Sequence, residues 1–375
     1  MFKRIFSSIK NKVELLPEKL KTDRGLKITI ALLLIFGIIM LASASSIVAY
    51  NTYHDTYYFF KKQFVSLIIA IGVFWIFSKI DYRKIRPFAL PSLLISIALL
   101  LLVFIPGLGK EVNGSQSWLN IFGYSVQPSE FVKLTLIVYL AALFEKSTET
   151  PKRFWSFIFI YCVVALLMLM QPDIGTLSIL TVAAFAMYYV GGGNIKHILG
   201  FAGVGIIGLL ILVNIPGQQY RLDRFRCFID SDRDTKKACY QINQSLIAIG
   251  SGGILGRGLG ESRQKFLYLP EVQNDFIFAV IAEETGVIGS AGVIIVFLIL
   301  AQRAWIIARR APDSYGKNLT VGIIVWIVGQ AALNIGGITN LLPMTGVPLP
   351  LISYGGTAII AALAGLGIVA SVSKQ

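Results

Sequence analysis

Ile28-Thr29-Ile30-Ala31-Leu32-Leu33-Leu34-Ile35-Phe36-Gly37-Ile38-Ile39-Met40-Leu41-Ala42 carries no ionisable side chain, and the run continues without one to Ala49. A helix needs about 20 apolar residues to cross the hydrocarbon of a bilayer. Residues 28–49 meet that length, exceed the core of a cleavable leader and lack a convincing cleavage site, so they read as a first membrane helix. Comparable runs recur near 63–79, 87–105, 128–144, 154–170, 174–190, 195–215, 276–302, 318–340 and 352–372. The expected fold is therefore an all-α polytopic integral membrane protein with about ten transmembrane helices.

Composition points the same way. The 375 residues are 55% hydrophobic and 14% charged, with a mean hydropathy of +0.71, whereas a soluble domain is about 25% charged. One transmembrane domain over 28–372, preceded by a basic tail over 1–27, leaves little room for a soluble domain. The net charge of +14, from 34 Lys and Arg over 20 Asp and Glu, suits anionic lipid headgroups. Nucleic acid is not an expected partner, because no basic patch is interleaved with aromatic residues in a binding module.

Basic residues near helix ends stay cytoplasmic. The N-terminal tail (Lys3 to Lys27), the turns holding Lys79, Arg83, Lys84 and Arg86, then Lys146, Lys152 and Arg153, then Lys196, then Arg303, Arg309, Arg310 and Lys317, and finally Lys374 share one side under ten crossings. Both termini are then cytoplasmic. The opposite side receives Tyr50–Lys62, Pro106–Gln127, the turn at Gln171-Pro172-Asp173, a long outward loop between helices 7 and 8 over about 216–274, and a Pro/Gly-rich stretch over Asn340–Tyr354. A connection as long as 216–274 is uncommon unless it is functional. It also carries Arg221, Arg224, Arg226, Arg233, Lys236, Lys237, Arg257, Arg263 and Lys265, against the charge bias of the other outward loops. No internal repeat is evident, and this weighs against a transporter built from inverted repeats.

Candidate chemistry gathers on that outward side. The glycines of Gly250 to Gly260 can turn backbone N–H groups toward an anion, and Arg257, Arg263 and Lys265 add charge suited to a pyrophosphate. The alternative is a re-entrant turn in which glycine serves close helix packing. Asp275 stands where the polar loop meets an apolar helix, as a general base or as a helix cap. Glu271 is a second carboxylate candidate. Pro128 and Ser129 suit a helix start, and Glu130 and Lys133, three apart, share a helix face and can pair. Of Glu283 and Glu284, one is expected to face a polar interior and the other to cap or pair, while Asp173 is expected to cap the helix after it. Residues 340–356 are too rich in Pro and Gly for continuous helix, and such backbone at membrane depth lines cavities or lies inside protein.

Three cysteines and two histidines offer no zinc spacing. Cys162, in an apolar run, is expected to be a small buried side chain, and Cys227 and Cys239, on the oxidising side, are expected to form a disulfide.

Together the segments Val112-Asn113-Gly114 with Trp118, Gln127 to Lys133, Gln171 to Thr176, Gln244-Ser245 through Gly253, Leu269 to Glu284, and Pro343 through Gly356 resemble the SEDS family of polytopic peptidoglycan glycosyltransferases. Gly258 to Glu271 looks more like the division branch, FtsW, than the elongation branch, RodA. Between Arg224 and Tyr240 a Cys-flanked charged insert departs from the family pattern.

The resemblance implies an inner-membrane enzyme of the division septum that polymerises lipid II, an undecaprenyl-pyrophosphate disaccharide-pentapeptide, on the outer membrane face. It also implies a class B penicillin-binding protein transpeptidase and other division proteins as partners. The family's essential loop aspartate falls on Asp275, which favours the general-base reading of that residue. Arg257, Arg263 and Lys265 are then candidates to stabilise the leaving pyrophosphate, with Glu130, Lys133 and Glu271 shaping the cavity. A divalent cation could bridge the pyrophosphate instead, although no ligand cluster marks a metal site. Competing readings are a lipid II flippase, an elongation-type polymerase, and a scaffold that only recruits the transpeptidase.

Overall fold

A computed structural model describes residues 22–112, 115–121, 124–145, 151–213, 226–230 and 239–375. The tail through Lys21, the pair Asn113-Gly114, Lys146, and the loop cations Arg221, Arg224, Arg233, Lys236 and Lys237 lie outside the described residues. The elements are α1 (Arg24–Tyr53), α2 (Tyr58–Lys79), α3 (Ala89–Leu102), β1 (Gly109–Val112), β2 (Ser115–Ile121), β3 (Tyr124–Val126), α4 (Pro128–Phe144), α5 (Pro151–Met170), α6 (Ile174–Val190), α7 (Ile195–Val213), α8 (Tyr240–Gly252), α9 (Ile277–Arg310), α10 (Ser314–Ile338) and α11 (Gly356–Val372). Each of the ten apolar segments is thus helical among the described residues. Six stretches there are long and apolar enough to cross a bilayer: Arg24–Tyr53, Tyr58–Lys79, Tyr82–Leu102, Lys152–Met170, Ile277–Arg310 and Ser314–Ile338. The helices Ile174–Val190 and Gly356–Val372 are shorter apolar ones. The chain is an all-α polytopic membrane protein, with one small sheet among the described residues.

Polar residues set the helix ends. Asp23 accepts the Leu26 N–H at 2.7 Å and pairs with Arg303 on the far end of α9 at 2.6 Å, so α1 begins before its apolar run. Asp313 caps α10 through the Gly316 N–H at 2.7 Å, and its other oxygen takes the Tyr82 hydroxyl at 2.7 Å and Arg83 Nε at 2.9 Å. Burial opposes that charge, but these donors outweigh it and hold the Asp313 carboxyl below its ordinary value. As expected, Asp173 accepts the Thr176 N–H at the start of α6.

Helix α10 is central: it packs against α4, α6, α9 and α11. The apolar patterns do not show which helix faces turn inward, because lipid tails are as apolar as a protein core. Cys162 illustrates the point: the expectation of a buried side chain is corrected, since it faces out of the bundle.

Two outward segments hold structure that the apolar pattern does not show. Strands β1, β2 and β3 form an antiparallel sheet in that order, with Gly109 opposite Leu119 and Leu119 opposite Val126, and β3 leads to α4. The long loop contains α8, whose Ser245 Oγ donates to the Ile338 carbonyl at the end of α10. Cys227 and Cys239 are joined there by a disulfide with their Cα atoms 5.3 Å apart.

Helix α9 is longer than its apolar run and is broken at Gly286, whose φ of 66° and ψ of −164° are non-helical. In a membrane the freed backbone groups need protein partners. The Gly-rich loop supplies them: Arg257 and Gly258 donate N–H to the Glu283 and Glu284 carbonyls at 3.0 Å, while Val287 and Ile288 donate to the Gly253 and Ile254 carbonyls at 3.0 and 3.3 Å. The loop is thus a re-entrant plug in the helix break. A Cβ on Gly286 would run into the Gly256 nitrogen and the Ile254 carbonyl at a φ that L side chains rarely adopt. Gly286→Ala is expected to cost at least about 2 kcal/mol from backbone strain and overpacking, read as a lowered melting midpoint of the detergent-purified protein.

Candidate active site

Three clusters meet the outward ends of α9 and α10. The first is the acid–base pair of α4. Pro128 occupies the first helical turn, after Gln127 in extended backbone, and brings Glu130 and Lys133 one turn into the bundle. Lys133 Nζ donates to Glu130 Oε1 at 2.8 Å, with both side chains at most 3% exposed. The ammonium also donates to Gln330 Oε1 at 2.9 Å and lies 5.2 Å from the Trp326 ring centroid. The pair is therefore fully compensated at depth, as a buried charge must be. Glu130 and Gln330 line a small cavity with Pro348, Leu349 and Pro350, so the Pro-rich stretch forms a wall beside the pair.

The second cluster is the carboxylate couple of α9. Glu283 accepts from Ser262 Oγ at 2.6 Å, the Arg263 N–H at 3.0 Å, the Gln264 N–H at 3.2 Å and Ser251 Oγ at 3.3 Å. Arg257 Nε stands 3.6 Å from it and donates to the Ser251 carbonyl at 3.2 Å. Glu284 accepts from Ser43 Oγ of α1 at 2.7 Å and from Lys265 Nζ at 3.1 Å. Both acids are buried and bonded, so neither is a simple helix cap. They fix the loop that plugs the helix break.

This geometry divides the three loop cations. Lys265, expected on the pyrophosphate, has a side chain only 5% exposed and is bonded to Glu284 and to the Gly260 carbonyl. A buried ammonium beside an unscreened carboxylate is held there by the cost of separating them. Arg263 is exposed, and Arg257 keeps 29% of its side chain accessible.

The third cluster surrounds Asp275. The N-cap of α9 is Phe276, with no side-chain capping bond, so Asp275 stands one residue before the cap position, half-buried. Its main-chain carbonyl accepts from Asn334 Nδ2 at 2.7 Å, and the Gln273 carbonyl accepts the Tyr354 N–H at 2.9 Å. Glu271, at φ 54°, accepts from Asn274 Nδ2 at 2.5 Å and so braces the turn that leads to Asp275.

Asn334 and Gln330 were not singled out from the sequence, yet they join the first and third clusters. The signal for them was two amide side chains one helical turn apart in the otherwise apolar stretch from Val321 to Ile338. Among the described residues no three His, Cys, Asp or Glu side chains gather into a metal-binding cluster.

A polytopic helical membrane protein that gathers a loop aspartate, an acid–base pair and a cation-bearing glycine loop at one end of its bundle is the class that fold and site define. The sequence model of the cell cycle protein family that takes in FtsW, RodA and SpoVE matches residues 24–375. The chain belongs to this family, and the SEDS resemblance carried by its motifs is borne out. It is 39% identical over 362 residues to stage V sporulation protein E of Bacillus subtilis, covering 95% of this chain and 98% of that one. It is 38% identical over 355 residues to the probable peptidoglycan glycosyltransferase FtsW of Trichlorobacter lovleyi, covering 94% and 93%. A solved chain from a study of how a peptidoglycan synthase complex coordinates polymerization and crosslinking superposes with a TM-score of 0.77 at 27% identity, covering 94% and 98%. The rod shape determining protein RodA of Thermus thermophilus superposes with a TM-score of 0.71 at 26% identity, covering 95% and 98%.

The buried couple yields a test of the loop anchor. Glu284→Gln leaves Lys265 an unpaired buried cation and is expected to cost about 3–5 kcal/mol. Adding Lys265→Met should recover part of that loss. Melting of the two variants in the same detergent checks it, and a Glu284→Gln protein as stable as wild type would contradict the anchor.

Proposed function

We propose that this chain, an FtsW-like peptidoglycan glycosyltransferase, polymerises lipid II on the outer face of the bacterial inner membrane with Asp275 as general base. The observation that carries the reading is the position of Asp275: a half-buried carboxylate at the junction of the outward loop with broken helix α9, braced by α10, which also bonds the Glu130–Lys133 pair. Asp275 takes the proton from the 4-hydroxyl of the acceptor GlcNAc. The freed oxygen forms a bond to C1 of the donor MurNAc while the bond from C1 to the pyrophosphate oxygen breaks, and undecaprenyl pyrophosphate leaves with inversion at C1.

Of the three candidate cations, Arg257 and Arg263 are open to the leaving pyrophosphate, and such charge stabilisation is commonly the largest catalytic contribution. Glu130, Lys133 and Glu271 shape the cavity and its turn. The septal site, cytoplasmic termini, the class B penicillin-binding protein transpeptidase and the other division proteins complete the reading. The basic residues of the inner turns and the likeness to a chain from a peptidoglycan synthase complex support it.

The deciding experiment is polymerisation of purified lipid II by the reconstituted protein with its transpeptidase. Asp275→Asn at equal folded protein is expected to lower the rate at least about a hundredfold, the scale of a lost general base. Strands made at the wild-type rate by that variant would overturn the mechanism, whereas lipid II crossing the bilayer with no strands from either protein would support flipping. A second check concerns the loop. Intact mass and alkylation without reductant should find Cys227 and Cys239 protected and Cys162 labelled; two alkylated loop thiols would remove the bridge.

A further inference from the structure

Asn334 is 4% exposed and lies one turn before the end of α10. Its side-chain nitrogen donates to two main-chain carbonyls, that of Asp275 at 2.7 Å and that of Val347 at 2.7 Å. Both partners can only accept, so the nitrogen and not the oxygen must face them. One side chain therefore clasps the end of the outward loop and the irregular Pro/Gly stretch together. One turn earlier, Gln330 repeats the arrangement: Nε2 donates to the Pro348 carbonyl at 2.9 Å, and Oε1 accepts from Lys133 and from Trp326 Nε1.

The clasp matters because of where Asp275 sits. Its carbonyl lies outside the first turn of α9, whose N-cap is the next residue. Two residues earlier, the Gln273 carbonyl is held by the Tyr354 N–H. The segment that bears the carboxylate is thus tied at two points, by Asn334 of α10 and by Tyr354 just before α11, and Asn334 holds the main chain at Asp275 itself.

We propose that Asn334 is a positioning residue for Asp275, fixing the loop backbone so that the carboxylate reaches the acceptor hydroxyl. The inference rests on the reading of Asp275 as general base. Asn334 touches no substrate; it acts through the main chain alone. A misplacement of about 1 Å can cost about a hundredfold in rate while leaving binding intact. The effect therefore belongs in kcat.

The test is steady-state polymerisation of lipid II by the reconstituted full-length protein with its transpeptidase, comparing wild type, Asn334→Ala and Asp275→Asn, with lipid II binding measured on the same preparations. Asn334→Ala is expected to lower kcat about ten- to a hundredfold with KM and lipid II binding within about twofold of wild type. If the alanine protein does not fold, Asn334→Ser, which keeps one donor at smaller volume, is read in the same way and should lose less. An unchanged kcat, or a fall in kcat matched by an equal loss of lipid II binding, would overturn the positioning role. Wild-type rates from Asp275→Asn would instead remove the general-base reading, so the two failures are told apart.

Discussion

A backbone N–H or C=O inside a bilayer has no water to bond, and this constraint governs the outward half of the molecule. Helix α9 breaks at Gly286 and exposes two carbonyls and two N–H groups, and the Gly-rich loop answers each of them. The loop can approach so closely because Gly256 and Gly286 carry no side chain where their backbones meet. Glu283 and Glu284 then hold the loop from the side-chain direction through Ser262, the Arg263 and Gln264 N–H groups and Lys265, and Glu284 also ties to Ser43 of α1. The two acids are conspicuous in an apolar helix, and satisfying the plug explains why both are tolerated there.

With the loop anchored, the chain that follows it enters α9 at a defined place, with Asp275 just before the cap. Helix α10 supplies the second constraint. Gln330 and Asn334 bond the carbonyls of Pro348 and Val347, which no regular structure satisfies, and the same two side chains reach Lys133 and the Asp275 main chain. The acid–base pair of α4 and the aspartate of the outward loop thereby share one rigid support. A group-transfer site gains from such rigidity, since reacting atoms must be held near contact distance.

Some of this was legible along the chain. The apolar runs gave the helices because length and hydropathy decide what can cross a bilayer. Glu130 and Lys133 read as a pair because three residues place two side chains on one helix face, and Asp173 read as a cap from its place before α6. Other features were hidden for definite reasons. Cys162 turned outward because a lipid-facing stripe looks like a core-facing one. Lys265 looked like a free cation because its partner lies 19 residues on, across the plug. The sheet of β1, β2 and β3 and helix α8 lie in polar stretches whose periodicity is weak.

By itself, the sequence determined the membrane fold and the chemical types that each segment carries, because solvent and charge act on each segment locally. Only the tertiary structure decided which of those groups are available for chemistry and which are structural. Lys133 meets Gln330 across 197 positions, and Asn334 meets Asp275 across 59. Short-range patterns carry no trace of such contacts, since they exist only once packed helices bring distant residues within hydrogen-bond reach.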